Sequence, residues 1–272
     1  MNRGLTMTRL FAFAALIAVA SFANMQAAYA QSYFRSFDGT RIHYETRGTG
    51  PAVVLIHGFT ANAETWKTTK LYDDLLGAGF QVITLDLRGN GLSDKPQTAE
   101  FYAHDAEAKD VLGLVRHLKL RHYIAIGYSR GSIIAARLLI LDKRITKAVL
   151  GGMGDAFTDP NWPRRLQVYR VLMGGSDPEL SWLIKRVDEM GLDHHMQAYI
   201  QLNQPSATPR ELSTINKPVL IICGDKDESD GSPIALAHLI PDARYVSVPG
   251  DHAQAWFSQE LSSGIISFLK PN

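Results

Sequence analysis

A serine stands between two glycines in the sequence GYSRG at 127–131, directly after the apolar run Tyr123–Ile126. A strand that turns sharply into a helix crowds its own backbone, so the residues two before and two after the apex must be small. Gly127 and Gly131 meet that demand, which would leave the hydroxyl of Ser129 exposed at the apex. The pattern predicts a nucleophile elbow; a tight turn whose serine caps the following helix is the simpler alternative.

A serine hydroxyl becomes a good nucleophile when a base removes its proton, and a carboxylate usually orients that base. Two later loops supply both types of side chain. GDKDE at 224–228 follows the apolar run Val219–Cys223, and PGDH at 249–252 follows Tyr245–Val248. His252 is therefore the predicted base, with a solvated loop histidine as the alternative.

Asp227 is the predicted acid, because it lies three residues past the glycine of GDKDE, where the loop has left its strand. We expect Asp225 to hold the turn of that loop. Asp155 and Asp230 remain alternatives for the acid. Asp155 follows the preceding predicted strand, a position from which a carboxylate could also reach His252.

Acyl transfer also needs hydrogen-bond donors for the oxyanion. The predicted strand Ala52–Ile56 is followed by a glycine at position 58, which allows the backbone to turn. Gly58 would thus let the N–H of Phe59 point into the site, and the N–H of Arg130 is the predicted second donor. We expect His57 to pack and hydrogen-bond within this loop rather than to catalyse.

Short apolar runs rich in valine and isoleucine precede these loops, a character typical of parallel strands that helices cover on both faces. The runs are Ala52–Ile56, Phe80–Leu85, Tyr123–Ile126, Ala148–Leu150, Val219–Cys223 and Tyr245–Val248. Helical patterns alternate with them, as at 106–118 and 132–141, and an Asp-Gly pair at 38–39 predicts a hairpin before them. The predicted fold is α/β, a mostly parallel twisted sheet with helices on both faces.

The strand pattern stops for more than sixty residues between Leu150 and Val219. A helical stripe in this stretch, formed by Leu180, Leu183, Ile184, Val187 and Met190, predicts a small helical cap inserted into the sheet domain. The predicted organisation is a core of 31–154 and 217–272 with a cap of 155–216, jointed at glycines 174, 175 and 191. Substrate selectivity is predicted to depend on large cap side chains, whose alternative role is packing within the cap: Trp162, Tyr169, Met173, Trp182, Met190 and Tyr199.

The first 30 residues have the pattern of a secretory signal peptide: two arginines, an apolar run at 10–23, and small residues at 28 and 30. Cleavage is predicted after Ala30, with export to the periplasm or the medium. A retained membrane anchor is the alternative, although the apolar run is shorter than the roughly 20 residues that span a bilayer.

The charge balance and the cysteine count limit the kinds of partner and crosslink that the chain can have. Residues 1–30 contain two of the 28 basic residues and none of the 27 acidic ones, so the remainder is nearly neutral. Because no basic run follows, nucleic acid is not a predicted partner. Cys223 is the sole cysteine, which excludes an intrachain disulfide, and it is expected to be a buried, inert thiol.

Taken together, the motifs resemble the α/β-hydrolase superfamily in order and spacing: HGF at 57–59, DLRGNGLSD at 86–94, GYSRG at 127–131, GDKD at 224–227 and GDH at 250–252. The resemblance implies that Ser129 is the nucleophile, His252 the base and Asp227 the acid. It also implies that the amides of Phe59 and Arg130 bind the oxyanion, and that neither a metal nor an organic cofactor is needed.

Three positions depart from the family pattern. Ser132 stands where many relatives have a third glycine. Arg130 is larger and more charged than is common there, so its side chain requires a buried or cap-borne carboxylate partner. Asp251 replaces a glycine before the histidine, which leads to the hypothesis that its carboxylate raises the pKa of His252.

The predicted reaction is hydrolysis of a small or medium carboxylic ester through an acyl-enzyme, the activity of a carboxylesterase. Hydrolysis of lactones, C–C bonds or prolyl peptides by the same fold remains an alternative, as does non-hydrolytic use of the triad in perhydrolases or lyases. A non-catalytic, ligand-binding relative is an alternative of a different class. The expected partner is a small ester-like molecule, and the pattern does not indicate an oligomeric state.

Overall fold

One twisted sheet positions every candidate site residue. The computed structural model describes residues 32–228 and 230–270, so the predicted signal peptide lies outside the described residues. The strands of this part of the chain are β1 Ser32–Arg35, β2 Arg41–Arg47, β3 Ala52–Ile56, β4 Gln81–Leu85, β5 Tyr123–Tyr128, β6 Ile145–Gly151, β7 Val219–Gly224 and β8 Ala243–Val248.

The strand order in the sheet is β1-β2-β4-β3-β5-β6-β7-β8. β2 runs antiparallel to β4, whereas the neighbours from β4 through β3 to β8 are all parallel. Parallel strands bring their carboxyl ends to one edge of the sheet, where chemistry collects in open α/β folds. The loops after β3, β5, β7 and β8, which carry the candidate residues, therefore meet at that edge.

Helices cover both faces of the sheet, as the continuous apolar runs predict. They are α1 Ala63–Lys67, α2 Lys70–Gly77, α3 Ala106–His117, α4 Arg130–Leu141, α5 Pro163–Leu172, α6 Ser181–Glu189, α7 His194–Leu202, α8 Pro209–Leu212, α9 Pro233–Leu239, α10 His252–Phe257 and α11 Gln259–Leu269. Alternate residues of β3 enter two different apolar clusters, Val54 with α3 and α4, and Val53 with α2 and α11. The predicted fold class is confirmed.

Several predicted boundaries shift by a few residues. β5 continues to Tyr128 because its last residues pair with Leu150 and Gly151 of β6. α4 begins at Arg130, two residues before the predicted start. At the predicted hairpin, Gly39 has a φ of +89°, and the N–H of Ser36 donates to the carbonyl of Thr40 over 2.8 Å.

The connection between β6 and β7 contains the helices α5 to α8, which are called the cap below. The cap has its own apolar cluster: Val168, Val171, Leu172, Leu180, Leu183, Val187 and Ala198. In the predicted helical stripe, Leu183 and Val187 are buried, whereas Met190 lies past the end of α6 and is exposed. The cap and the sheet belong to one compact unit, and the predicted cap limits of 155–216 stay a prediction. The helices of the described residues include none with the length and apolar character needed to cross a bilayer.

Candidate active site

Ser129 occupies the apex of the turn between β5 and α4. Its φ of +54° and ψ of −128° lie outside the regions that side-chain-bearing residues favour. The N–H of Ser129 donates to the carbonyl of Gly151 over 2.7 Å, which fixes the apex to the end of β6. A strained residue held by its neighbours is typical of functional sites, and the Ser129 side chain is half-buried rather than covered.

The flanking glycines are required by close backbone approach. A Cβ added to Gly127 would lie 2.2 Å from the carbonyl oxygen of Gly131, and one added to Gly131 would lie 2.1 Å from that of Ile56. Neither distance is compatible with a side chain. Ser132 replaces the third glycine of the family pattern without disturbing the turn, because its buried hydroxyl donates to the carbonyl of Gly151 over 2.8 Å.

His252 begins α10, and a buried carboxylate orients its ring. Nδ1 of His252 lies 2.7 Å from Oδ2 of Asp227, whose side chain is only 4% exposed. A carboxylate at Nδ1 favours the tautomer with the proton on that nitrogen, which leaves Nε2 free to accept a proton. Asp155 has a different role, because its carboxylate accepts the N–H of Ser232. Asp225 accepts the N–H of Gly250, which ties the two loops together.

The same contacts set the pKa of His252. Burial lowers the pKa, but the hydrogen bond and the charge of Asp227 outweigh it, and Asp230 and Asp251 add smaller effects in the same direction. The pKa of His252 is therefore raised above its ordinary value. Asp251 acts in the hypothesised direction, yet its contribution is the smallest, and its carboxylate mainly caps α10 by accepting the N–H groups of Ala253 and Gln254.

Tyr128 joins the histidine loop to the elbow, a role that the sequence did not reveal. Its hydroxyl donates to the backbone carbonyl of His252 over 2.6 Å, and the two ring centroids lie 5.3 Å apart. Trp256 also packs against Tyr128, with its ring centroid 4.5 Å from that of Tyr128. In the motif, position 128 looks like a spacer, because the signal is carried by the flanking glycines alone.

Ser129 and His252 lie in the same region of the structure, but their side chains are not hydrogen-bonded to each other. A Cβ added to Gly152 would lie 3.1 Å from Cε1 of His252, and the residue before it, Gly151, holds the backbone of Ser129. Within residues 32–228 and 230–270, however, the hydroxyl of Ser129 forms no hydrogen bond to His252 or to another group. Catalytic hydrogen bonds are often long before substrate binds, so the Ser129–His252 contact stays a prediction.

The loop after β3 contains His57 and the predicted oxyanion donor Phe59. His57 is buried; its Nδ1–H donates to the carbonyl of Gly58 over 2.8 Å, and its Nε2 accepts the N–H of Leu87 over 3.0 Å. Burial lowers the pKa of His57 to about 4, so the ring is neutral and structural. Across the described part of the chain, the amide N–H groups of Phe59 and Arg130 have no acceptor, which leaves both available for a ligand oxygen.

Glu107 is the carboxylate partner that Arg130 requires. The two side chains form a buried ion pair between the second residue of α3 and the first of α4, each at most 4% exposed. The pairing is incomplete, because Oε1 of Glu107 and Nε of Arg130 are both buried without a hydrogen bond among the described residues. A pattern in the sequence could not select this glutamate among 27 acidic residues.

The DLRGNGLSD segment is held in place by the carboxylate of Asp86, its first residue. The buried carboxylate of Asp86 accepts the N–H groups of Ala63 and Leu92 and contacts Nδ1 of His43 at 2.9 Å. Burial raises the pKa of Asp86, but these hydrogen bonds together lower it below its usual range. Cys223 is expected to be unreactive, because burial raises the pKa of its thiol to about 12 and so disfavours the nucleophilic thiolate.

The large cap side chains fall into two groups. Trp182, Met173 and Met190 are exposed. Trp162, Tyr169 and Tyr199 are partly buried against three different apolar clusters. Packing therefore explains the second group, and a role in substrate selectivity stays a prediction for all six.

Replacement of the orienting acid tests the histidine pair. We expect Asp227→Asn to lower the kcat by up to about 10⁴-fold, because the amide can hold the imidazole in the wrong tautomer. The residual activity should also extend to lower pH. A base must be neutral to act, so wild-type kcat/KM rises with pH through the raised pKa of His252; loss of the Asp227 charge lowers that pKa and moves the rise to more acidic solution.

Asp251→Asn is the matched control for this pH profile. Asparagine also caps a helix, so α10 should keep its start while one negative charge near His252 is removed. The acidic limb should move in the same direction by a much smaller amount, with the plateau unchanged. An Asp227→Asn profile superimposable on that of Asp251→Asn would refute the assignment of Asp227.

A family model described as the alpha/beta hydrolase fold matches residues 51–173. A non-heme haloperoxidase of Rhodococcus erythropolis is 26% identical over 271 residues, which cover 86% of this chain and 97% of that protein. An epoxide hydrolase of Caballeronia sordidicola is 30% identical over 121 residues, which cover 44% of this chain and 36% of that protein. The chain spans between about a fifth and two fifths of the length of the first curated relatives it matches.

Solved structures show the same fold over most of the chain. A thermophilic esterase from Thermogutta terrifontis has a TM-score of 0.72 at 22% sequence identity, covering 88% of this chain and 97% of the esterase. The mostly parallel sheet with helices on both faces agrees with this likeness and with the family match. Residues 51–173 match the family model of the α/β-hydrolase fold, and the chain as a whole has that fold.

Proposed function

We propose that the protein is a serine hydrolase that cleaves a small or medium carboxylic ester through an acyl-enzyme. One observation carries the proposal: the loops after β5, β7 and β8 present a strained serine and a histidine oriented by a buried carboxylate at the same edge of the sheet. The serine also distinguishes the chain from those branches of the family that use an aspartate in this position, epoxide hydrolases among them.

In the proposed first step, the Ser129 hydroxyl attacks the ester carbonyl while Nε2 of His252 takes its proton. The developing oxyanion accepts hydrogen bonds from the Phe59 and Arg130 amides, which act without reorganisation because the backbone already holds them. Asp227 stabilises the imidazolium that forms. The alcohol then leaves with the proton from His252, and the acyl group remains on Ser129.

Water hydrolyses the acyl-enzyme in the second step by the reverse use of the same groups. His252 takes a proton from water, the hydroxide attacks the acyl carbon, and the proton returns to the Ser129 oxygen as the acid leaves. The proposed chemistry uses no metal or organic cofactor. The substrate is proposed to be a small molecule met outside the cytoplasm, which rests on the predicted signal peptide alone.

Covalent labelling is the direct test. A fluorophosphonate should label the purified protein, with the adduct mapped to Ser129 by mass spectrometry, and p-nitrophenyl esters should give a burst of p-nitrophenol equal to the enzyme concentration. A series of acyl-chain lengths, run beside lactone and prolyl-amide panels, would identify the preferred bond. Ligand binding without any labelling of Ser129 would instead support a non-catalytic relative.

A non-hydrolytic activity is the second candidate, because the haloperoxidase of Rhodococcus erythropolis aligns with most of this chain. Halide oxidation measured with hydrogen peroxide and a carboxylic acid tests it. If halide oxidation proceeds at a higher kcat/KM than hydrolysis of every ester in the series, the ester proposal is wrong.

A further inference from the structure

A cap arginine reaches the predicted oxyanion loop. Nε of Arg186, on α6, donates to the hydroxyl of Thr60 over 2.8 Å, and Nη2 donates to the carbonyl of the same residue over 3.4 Å. Thr60 directly follows Phe59, whose N–H is the predicted first oxyanion donor. Arg186 itself is an exposed residue, yet its guanidinium contacts a threonine that is only 3% exposed.

Thr60 needs such a contact because of its backbone conformation. Its φ is +52°, a left-handed value that is unfavourable for a β-branched residue. Residues keep such conformations only where the surroundings fix them. Arg186 bonds both the side chain and the carbonyl of Thr60, so it restrains the backbone conformation of the residue that follows Phe59.

The side chain of Phe59 strengthens the connection between the loop and the cap. It packs against the apolar cluster of the cap and also against a small cluster formed by Tyr102, Met196 and Ile200. From the core side, His57 holds the preceding glycine through its carbonyl. The loop is thus fixed by the core before Phe59 and by the cap after it.

The guanidinium of Arg186 is committed to this contact. Considering only the residues that the structure describes, no carboxylate pairs with Arg186, although its neighbour Lys185 lies 3.7 Å from Glu189 on the same helix. Two hydrogen bonds from Arg186 to one buried residue indicate a specific structural role for this side chain rather than a contribution to solubility alone.

We propose that Arg186 is a positioning residue that holds the Phe59 N–H in the oxyanion hole and so couples docking of the cap to the chemistry at Ser129. The inference rests on the proposed function, because it requires an oxyanion. Arg186 acts through Thr60 and touches no reacting atom. Loss of the contact should therefore weaken binding of the transition state and leave binding of the ground state nearly unchanged.

The test compares Arg186→Gln with Lys185→Gln, the control on the same helix. Arg186→Gln should lower the kcat for a p-nitrophenyl ester by about tenfold or more with the KM within about threefold, since a displaced donor costs less than the 10²–10³ of a deleted one. A trifluoromethyl ketone, which forms the oxyanion adduct, should lose affinity by the same factor. Lys185→Gln should change none of these values.

Thr60→Val removes the same hydroxyl contact from the other side and keeps the β-branched shape. Its loss in kcat should be similar or smaller, because valine keeps the longer bond from Arg186 to the backbone carbonyl. The double variant should lose little more than Arg186→Gln alone, because that variant already removes both bonds. Added guanidinium ion should restore part of the kcat of Arg186→Ala. Partial recovery by a free ion separates positioning from a general loss of fold, which circular dichroism and the Tm also monitor.

Two results would overturn the inference. An unchanged kcat in Arg186→Gln would show that the contact does not position the donor, and a raised KM at constant kcat would make Arg186 a substrate-binding residue. Both are read in an enzyme whose Ser129 is labelled by a fluorophosphonate, so they leave the proposed function intact. If wild-type Ser129 is not labelled, the proposed function itself is wrong.

Discussion

Ser129→Ala is expected to lower the kcat for ester hydrolysis by a factor on the order of 10⁴ to 10⁶, the loss seen when a nucleophile is removed from a complete triad. The remaining activity would come from the oxyanion donors and substrate binding, which alanine leaves in place. Fluorophosphonate labelling should disappear, because Ser129 is the proposed nucleophile and the Cys223 thiol is buried, with its pKa raised to about 12.

The fold should survive this substitution, which makes the kinetic result interpretable. The hydroxyl of Ser129 has no hydrogen-bonding partner among the described residues, so alanine deletes no internal contact. The unfavourable φ of +54° at position 129 strains serine and alanine alike. The hydrogen bond from the N–H of this residue to the carbonyl of Gly151 does not involve the side chain, so alanine keeps it. The Tm of Ser129→Ala should therefore lie within about 2 °C of the wild type, on a scale of about 2–4 °C per kcal/mol for a domain of this size.

Ser132→Ala is the matched control three residues later. Its buried hydroxyl donates to the carbonyl of Gly151, so its loss should lower the Tm modestly and leave the ester kcat within a few-fold of the wild type. Two serines in one turn thus have opposite expected effects. Substantial hydrolysis by Ser129→Ala, above about a tenth of the wild-type kcat, would refute the nucleophile.

Local signals in the chain predict the elbow well. The continuous apolar run of β5 indicates a strand buried on both faces, and glycines at 127 and 131 indicate a backbone that passes within van der Waals distance of itself. Both signals depend on residues close in sequence. The positions of the loops after β7 and β8 are also predictable from local signals, because a parallel sheet brings the carboxyl ends of its strands to one edge regardless of loop conformation.

Contacts between distant residues were not predictable in the same way. The sequence could propose both Asp227 and Asp155 as the acid, since each follows a strand of the sheet. The structure distinguishes their contacts through loop paths: the carboxylate of Asp155 accepts the N–H of Ser232, whereas Asp227 turns toward His252. The partner of Arg130 depends on how α3 is rotated, and the Arg186–Thr60 contact joins residues 126 positions apart.

The buried pair of Arg130 and Glu107 gives the second large expected effect, this time on stability. Glu107→Leu leaves an arginine buried without its carboxylate, and removal of one partner of a buried ion pair typically costs about 3–5 kcal/mol of the free energy of unfolding. On the same scale of about 2–4 °C per kcal/mol, the Tm should fall by roughly 6–20 °C. Thermal unfolding followed by circular dichroism measures this directly.

The matched surface control is Glu64→Gln. Glu64 also pairs with a basic residue, Lys67, but its side chain is 67% exposed, and such pairs contribute about 0–1 kcal/mol. Its Tm should stay close to that of the wild type. Equal effects in Glu64→Gln and Glu107→Leu would contradict the argument that burial of the charge, rather than loss of an ion pair, causes the destabilisation.

The double variant Glu107→Leu with Arg130→Met should recover most of the lost stability. It removes both charges, and it also removes the two buried atoms that the native pair leaves unsatisfied, Oε1 of Glu107 and Nε of Arg130. Replacement of a buried ion pair by apolar side chains of similar volume is often neutral or stabilising. The amide of Arg130, the predicted oxyanion donor, belongs to the backbone and persists in methionine, so the double variant should also keep most of the ester kcat. A double variant no more stable than Glu107→Leu would mean that the pair fits α3 to α4 through its shape, and that its charge is incidental.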